Sequence, residues 1–223
     1  MDITLGEQLL LLSLDDESGT EREPARVAWA IAAATLVELA LAGRIEVTDG
    51  TVTVADSTPL GTPGPDAALA EIVAWDKPNK PGKVKAWMTH LKKDAVAAAS
   101  QGLLERGLVR EEVRKVLGLF PVRRYPEADP TAEAAMRERL EGAVLRGESP
   151  DARTASLVAL LHGARLHRLA FPTAEPAEVD PAMAALAQGD WAAPAVRQAI
   201  DAAGAALTAV VTTTVVGTVL SGD

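Results

Sequence analysis

Cysteine is absent from this 223-residue chain, which removes disulfides, thiolate catalysis and Cys-ligated zinc or iron–sulfur centres together. Aromatic residues are nearly as scarce: Trp29, Trp75, Trp87, Trp191, Tyr125, Phe120 and Phe171 make up 3% of the chain. A core must then come from Ala, Leu and Val, a composition that favours closely packed helices. Histidine occurs three times, as His90, His162 and His167. The last two are five apart and point to different faces of a helix, and no His-x-x-x-His or Glu-x-x-His motif accompanies them, so no metal site is expected. Phosphate-cradling glycine loops are missing as well. The nearest stretch, Gly61-Thr62-Pro63-Gly64, spends one position on a proline that has no N–H to donate. Without a Gly-x-Ser-x-Gly elbow or any other catalytic motif, the chain reads as a binding protein that needs no cofactor rather than as an enzyme. The start, Met1-Asp2-Ile3-Thr4, lacks the basic–apolar–small pattern of a secretory leader, so the expected location is cytoplasmic, peripheral at the cytoplasmic membrane face.

What is present is ordinary for a folded domain: 48% hydrophobic and 24% charged residues, enough for one sizeable core. The excess of Ala and Arg over Ile and Lys hints at a GC-rich bacterial genome. Residues 202–220 carry no charge, yet five threonines and Gly204 and Gly217 make them weakly apolar, which favours a buried core helix over a membrane span.

Charge is distributed unevenly. The net charge is −9, but residues 77–124 alone carry a net +8 and the remainder −17. The cations are Lys77, Lys80, Lys83, Lys85, Lys92, Lys93, Arg106, Arg110, Arg114, Lys115, Arg123 and Arg124. Three roles stand open for them: a solvated face neutralised by acidic helices, a contact with an anionic membrane surface, or a contact with nucleic acid. The acidic total counts against nucleic acid, because extended phosphate contact favours a basic domain.

Periodicity predicts a single, mainly α-helical domain over 1–223 with two short β-hairpins. Thr4 and Glu7 form a Thr-x-x-Glu capping box ahead of the apolar run 9–12. The acidic triplet Asp15-Asp16-Glu17 reads as a solvated turn, since it lacks EF-hand spacing. A helix runs from Pro24 to Ala42 and stops at Gly43. Glu38, on its largely apolar course, is expected to pair internally, with Arg44 as the candidate. Asp49-Gly50 between Ile45, Val47, Val52 and Val54 marks a hairpin. Further helices are expected at 66–74, 83–91, 94–106, 131–146, 150–169, 181–187 and 192–220, with a linker at 172–181. Residues 108–125 form the second hairpin, with strands 108–116 and 121–125 and the tip Leu117-Gly118-Leu119-Phe120.

Several segments in order resemble the Golgi phosphoprotein 3-like family. They are Ile3-Thr4-Leu5-Gly6-Glu7-Gln8-Leu9-Leu10-Leu11-Leu12, then Leu36-Val37-Glu38-Leu39-Ala40-Leu41-Ala42-Gly43-Arg44-Ile45, then Leu103-Leu104-Glu105-Arg106-Gly107-Leu108-Val109. An apolar hairpin tip and a helix with Thr154, Leu157, Leu160 and Leu161 follow. The resemblance implies a mostly helical domain that binds phosphatidylinositol 4-phosphate at a basic pocket and dips an apolar hairpin into the bilayer. Of the family's pocket positions, those held by Trp and Arg on the helix before Glu38 are Glu23 and Ala32 here. Those held by two Arg before the Leu-x-Glu-x-Gly segment are Lys93 and Val96, so only Lys93 keeps a positive charge.

The headgroup candidates are therefore Lys92, Lys93, Arg114, Arg123 and Arg124, and the membrane-insertion candidates are Leu117, Leu119 and Phe120. An apolar wedge collared by cations is what interfacial attachment requires: about 1.5–3 kcal/mol for each apolar side chain that leaves water and about 1 kcal/mol for each cation near an anionic surface. The same three apolar residues could instead fold against the body or fill a contact between copies in a homo-oligomer. A protein-interaction scaffold and a winged-helix-like nucleic-acid binder are the alternatives to an adaptor-type peripheral membrane protein.

Overall fold

The computed structural model describes residues 3–75, 82–116, 120–189, 192 and 194–219. It is mainly α, with two separate two-stranded antiparallel sheets. Helix α1 (Leu5–Ser13) opens with the expected reciprocal cap: the Glu7 N–H donates to Thr4 Oγ1 at 3.0 Å and the Thr4 N–H donates to Glu7 Oε2 at 2.6 Å. Leu9, Leu10, Leu11 and Leu12 are all buried. Every residue of α1 is buried, which makes it a core helix, and it lies against α2 (Pro24–Leu41), which also packs on α4 (Val84–Glu105) and α9 (Pro194–Val219). By length and composition α2 could cross a membrane. Here Val27, Ile31, Leu36, Val37 and Leu39 are instead buried among the other helices, so α2 is the hub of the bundle.

Strands β1 (Ile45–Thr48) and β2 (Thr51–Val54) pair around Asp49 and Gly50, whose φ values of 51° and 68° give the tight two-residue turn that this dipeptide favours. Helix α3 (Pro63–Trp75) starts earlier than 66 because the Asp66 carboxylate accepts from the N–H groups of Leu60, Gly61 and Thr62, which fixes the preceding loop. Helix α4 is continuous, where two helices were expected. Lys92-Lys93-Asp94 interrupts the apolar pattern but holds no helix breaker, and Lys92 lies on the Trp29 ring of α2.

The second hairpin is shorter than expected. Strand β3 (Glu112–Val116) pairs with β4 (Phe120–Arg124). Residues 108–111 are not in the strand, because Val109 pairs singly with Glu127. Phe120 is not at the tip: its backbone is opposite Val116 in the ladder. Leu117, Gly118 and Leu119 lie outside the described residues, as do the side chains of Arg114 and Phe120.

Helix α5 (Thr131–Leu145) is followed by α6 (Ala152–Gly163) and the single turn α7 (His167–Ala170). The expected helix 150–169 is broken because Arg165 takes a left-handed φ of 55° and its N–H turns back to the carbonyl of His162. Helix α8 (Pro176–Gln188) begins inside the expected linker, capped reciprocally by Glu175 and Glu178, with Pro181 accommodated in its course. In the described first half of α9, Val196, Ala199, Ile200, Ala203 and Leu207 are buried, which matches a core helix there. Its crossing with α6 is close because two glycines meet: a Cβ on Gly163 would stand 3.4 Å from Gly204 Cα. Side chains beyond 209 lie outside the described set.

Candidate functional site

The hairpin β3–β4 is fixed at its base to the turn between α1 and α2. Gly19 makes this approach possible: at φ +60° a Cβ would fall 2.2 Å from the Pro126 nitrogen, so only glycine fits. The Tyr125 N–H donates to the Gly19 carbonyl at 3.2 Å, and the Glu127 N–H donates to the Asp16 carbonyl at 3.2 Å. Arg124 Nη1 reaches the Thr20 hydroxyl and the Ser18 carbonyl. The acidic turn is thus the seat of the hairpin. Its Asp15 carboxyl is held below the usual carboxylate range by the hydroxyl and N–H of Ser18, helped by Arg22 and the Glu17 N–H.

Where the turn, the hairpin and α4 converge lies a cavity of about 280 Å³. Arg123, Arg124 and Val122 line it from β4, Val96 and Ser100 from α4, and Thr20, Glu21 and Pro24 from the turn and the start of α2. Burial alone pushes the Glu21 carboxyl above its usual range.

Helix α4 carries charge on two different faces. Lys85, Lys92 and Val96 are seven and four positions apart and fall on one face, with Lys93 beside them. Lys85 and Lys93 are exposed, and neither makes an ion pair with a described residue. The face that holds His90, Asp94, Gln101 and Glu105 borders a different groove of about 210 Å³, whose walls also carry Glu7, Glu38 and Glu71. There His90 Nε2 pairs with Glu71.

The predicted headgroup residues are therefore placed unequally. Lys92 is half-buried with its Nζ 4.3 Å from the centre of the Trp29 ring, a cation–π contact. Lys93 is exposed on the same helix and makes no ion pair with a described residue. Arg123 and Arg124 reach the cavity, although Arg123 Nε also lies 3.2 Å from Glu111 Oε1. Arg114 is opposite Val122 in the ladder by its backbone. Other cations of the basic segment stand elsewhere. Lys83 Nζ donates to the Asp49 carbonyl and Thr51 Oγ1 at the first hairpin, and Arg106 lies 3.3 Å from the buried Glu7. Lys77 and Lys80 are outside the described residues. Of the family's pocket positions, Val96 lines the cavity and Glu23 adjoins Pro24 at its rim, whereas Ala32 is fully buried in α2.

Sequence reasoning missed Thr20, Glu21, Ser100 and Tyr125 as cavity residues. No local pattern marks them, because long-range contacts bring them to the hairpin. Glu38 pairs not with Arg44 but with Arg153, at 2.6 Å, while Arg44 pairs with Asp56 at 2.7 Å. Among the described residues no group of three or more His, Asp or Glu is placed to hold a metal ion.

A model of the family described as Golgi phosphoprotein 3 (GPP34) matches residues 5–203. The chain is also similar to the vacuolar protein sorting-associated protein 74 of Eremothecium gossypii, at 25% identity over 163 residues. That alignment takes in 62% of this chain and 48% of the relative, so the chain spans about half the length of the curated relative it matches. The family match runs from the first residue of α1 into α9 and takes in both hairpins and every residue that lines the cavity beside the second, and the chain belongs to the Golgi phosphoprotein 3 (GPP34) family.

Proposed function

We propose that this chain is a non-catalytic, adaptor-type peripheral membrane protein that docks on anionic phospholipid, with Lys92, Lys93, Arg114, Arg123 and Arg124 facing the headgroups and Leu117, Leu119 and Phe120 entering the acyl boundary. The observation that carries the reading is the cavity beside the second hairpin, lined by Arg123 and Arg124, together with the exposed Lys85 and Lys93 of α4, which make no ion pair with a described residue. Family membership supports it, and so does the relative's description as a vacuolar protein sorting-associated protein. Val113 and Val122 keep the hairpin apolar toward solvent, at 62% and 39% exposure. Phosphatidylinositol 4-phosphate is the lipid that the family resemblance implies. With Glu23, Ala32 and Val96 at three of the four pocket positions, the reading rests on anionic phospholipid as a class.

Three apolar contacts and several cations, at about 1.5–3 kcal/mol and about 1 kcal/mol each, suffice for reversible attachment that multivalency strengthens. Sedimentation with anionic and with neutral liposomes tests the reading. Retention on anionic vesicles alone, abolished by Leu119→Asp with Phe120→Asp, is expected; equal retention on both contradicts it. A dilution-dependent change of size in chromatography, removed by the same substitutions and without lipid retention, would favour the hairpin as a contact between copies.

A further inference from the structure

Helices α3 and α4 bring three aromatic rings and a carboxylate to one pocket of about 620 Å³, a size within the range of small-molecule sites. On α3, Glu71 and Trp75 are four positions apart; on α4, Trp87 and His90 are three apart, so each pair shares a helix face. The Trp75 and Trp87 rings stand at 82° with centroids 6.4 Å apart, and the His90 ring stands at 78° to Trp87 at 5.9 Å. Trp87 is buried, whereas Trp75 is 56% exposed and keeps much of its ring open to an incoming molecule. Ala74, Gly82 and Ala86 complete the wall with small residues. Gly82 has to be small, because a Cβ there would fall 2.1 Å from Trp87 Nε1.

We propose that this pocket binds a small N-methylated ammonium ion from solution, with Trp75 and Trp87 as perpendicular walls and Glu71 as the counter-charge. Ring faces carry negative potential and attract a cation, and an anion would meet both those faces and the Glu71 carboxylate. A neutral His90 that donates from Nε2 to Glu71 leaves the carboxylate its charge. Glu71 and His90 also border the neighbouring groove, where Asp94 and Glu105 add negative charge and no Lys or Arg is among the described lining residues. Lys83 borders the aromatic pocket, but its Nζ is held at the first hairpin by the Asp49 carbonyl and Thr51 Oγ1. An unmethylated ammonium is compact and strongly hydrated, whereas N-methyl groups shed water readily and pack on the rings. The source is solution rather than a lipid headgroup, because Trp87 and His90 lie on a different face of α4 from Lys85 and Lys92. The site is therefore independent of lipid docking.

Calorimetry of the whole chain compares choline with neohexyl alcohol, the uncharged isostere in which carbon replaces the quaternary nitrogen. Choline is expected to bind at least about tenfold more tightly. Trp75→Ala is expected to weaken choline binding at least about fivefold, with thermal melting unchanged because Trp75 is exposed. Trp75→Phe should restore part of that loss, and Glu71→Gln should narrow the gap between choline and the alcohol. Equal affinity for the two compounds overturns the cation reading. So does an absence of choline binding, or a choline affinity within about twofold of wild type in Trp75→Ala with melting unchanged. A parallel arm sediments the chain with phosphatidylcholine vesicles, and no retention is expected. Retention that Trp75→Ala removes would support the ammonium chemistry and overturn its assignment to a soluble ligand.

Discussion

Glu38 and Arg153, 115 positions apart, join through two hydrogen bonds: Nη1 to Oε1 at 2.6 Å and Nη2 to Oε2 at 3.0 Å. Glu38 Oε2 also accepts from the Leu5 N–H at 2.8 Å, and Arg153 Nη2 donates to the Ile3 carbonyl at 2.7 Å. The pair therefore closes the start of α1 onto both α2 and α6. Glu38 is 8% exposed, so an unmatched charge there is costly.

Arg153→Ala is expected to lower unfolding free energy by about 2–4 kcal/mol in urea titration. Arg153→Lys should recover part of the loss, because an ammonium cannot reproduce the two-pronged contact. A loss below about 0.5 kcal/mol in the alanine variant, the size expected of a surface substitution, would show that the pair carries little of the stability.

Gly102 is expected to be intolerant of alanine. A Cβ there would stand 1.8 Å from Glu7 Oε1. Glu7 would have to leave the position from which it caps α1 and meets Arg106. Gly102→Ala should cost about 1–3 kcal/mol despite alanine's better helix propensity. Gly102→Ala combined with Glu7→Ala should show a much smaller additional loss than the sum of the two single variants, measured as a double-mutant cycle.

Asp151 caps α6 by accepting from the Thr154 N–H at 2.6 Å, and that backbone bond holds its carboxyl below the usual range, aided by the Thr154 hydroxyl and by Arg139. A carboxyl depressed in the folded state stabilises fully above its unfolded pKa of about 3.9 and loses that contribution as pH falls through the lower folded value. Asp151→Ala should therefore cost about 1 kcal/mol near neutrality. The difference from wild type should shrink when both are unfolded in urea below about pH 3, well under the unfolded value. A difference that stays constant over that range would remove the carboxylate from the cap.

How much of this was legible in the sequence depends on the range of the cause. The capping box at Thr4 and Glu7 and the Asp49-Gly50 hairpin are local chemistry, and both were readable. The continuity of α4 was not, because Lys92 is supported by Trp29, far away in sequence. The break at Arg165 carries no proline or glycine at the turning residue itself. In the candidate site, clustering of cations pointed to the second hairpin, yet Glu21 and Thr20 reach the cavity only through the Gly19–Tyr125 and Asp16–Glu127 contacts, which no local spacing encodes. The same limit hid Arg153 as the partner of Glu38.

The most direct measurement is the affinity for vesicles of phosphatidylglycerol in phosphatidylcholine, comparing the wild type with Lys85→Glu/Lys93→Glu. Both lysines are exposed on one face of α4 and make no ion pair with a described residue, so thermal melting should not change. At about 1 kcal/mol for each cation near an anionic surface, binding is predicted to weaken by at least about tenfold. An affinity within about twofold of wild type, with melting unchanged, would contradict the placement of the membrane surface against this face.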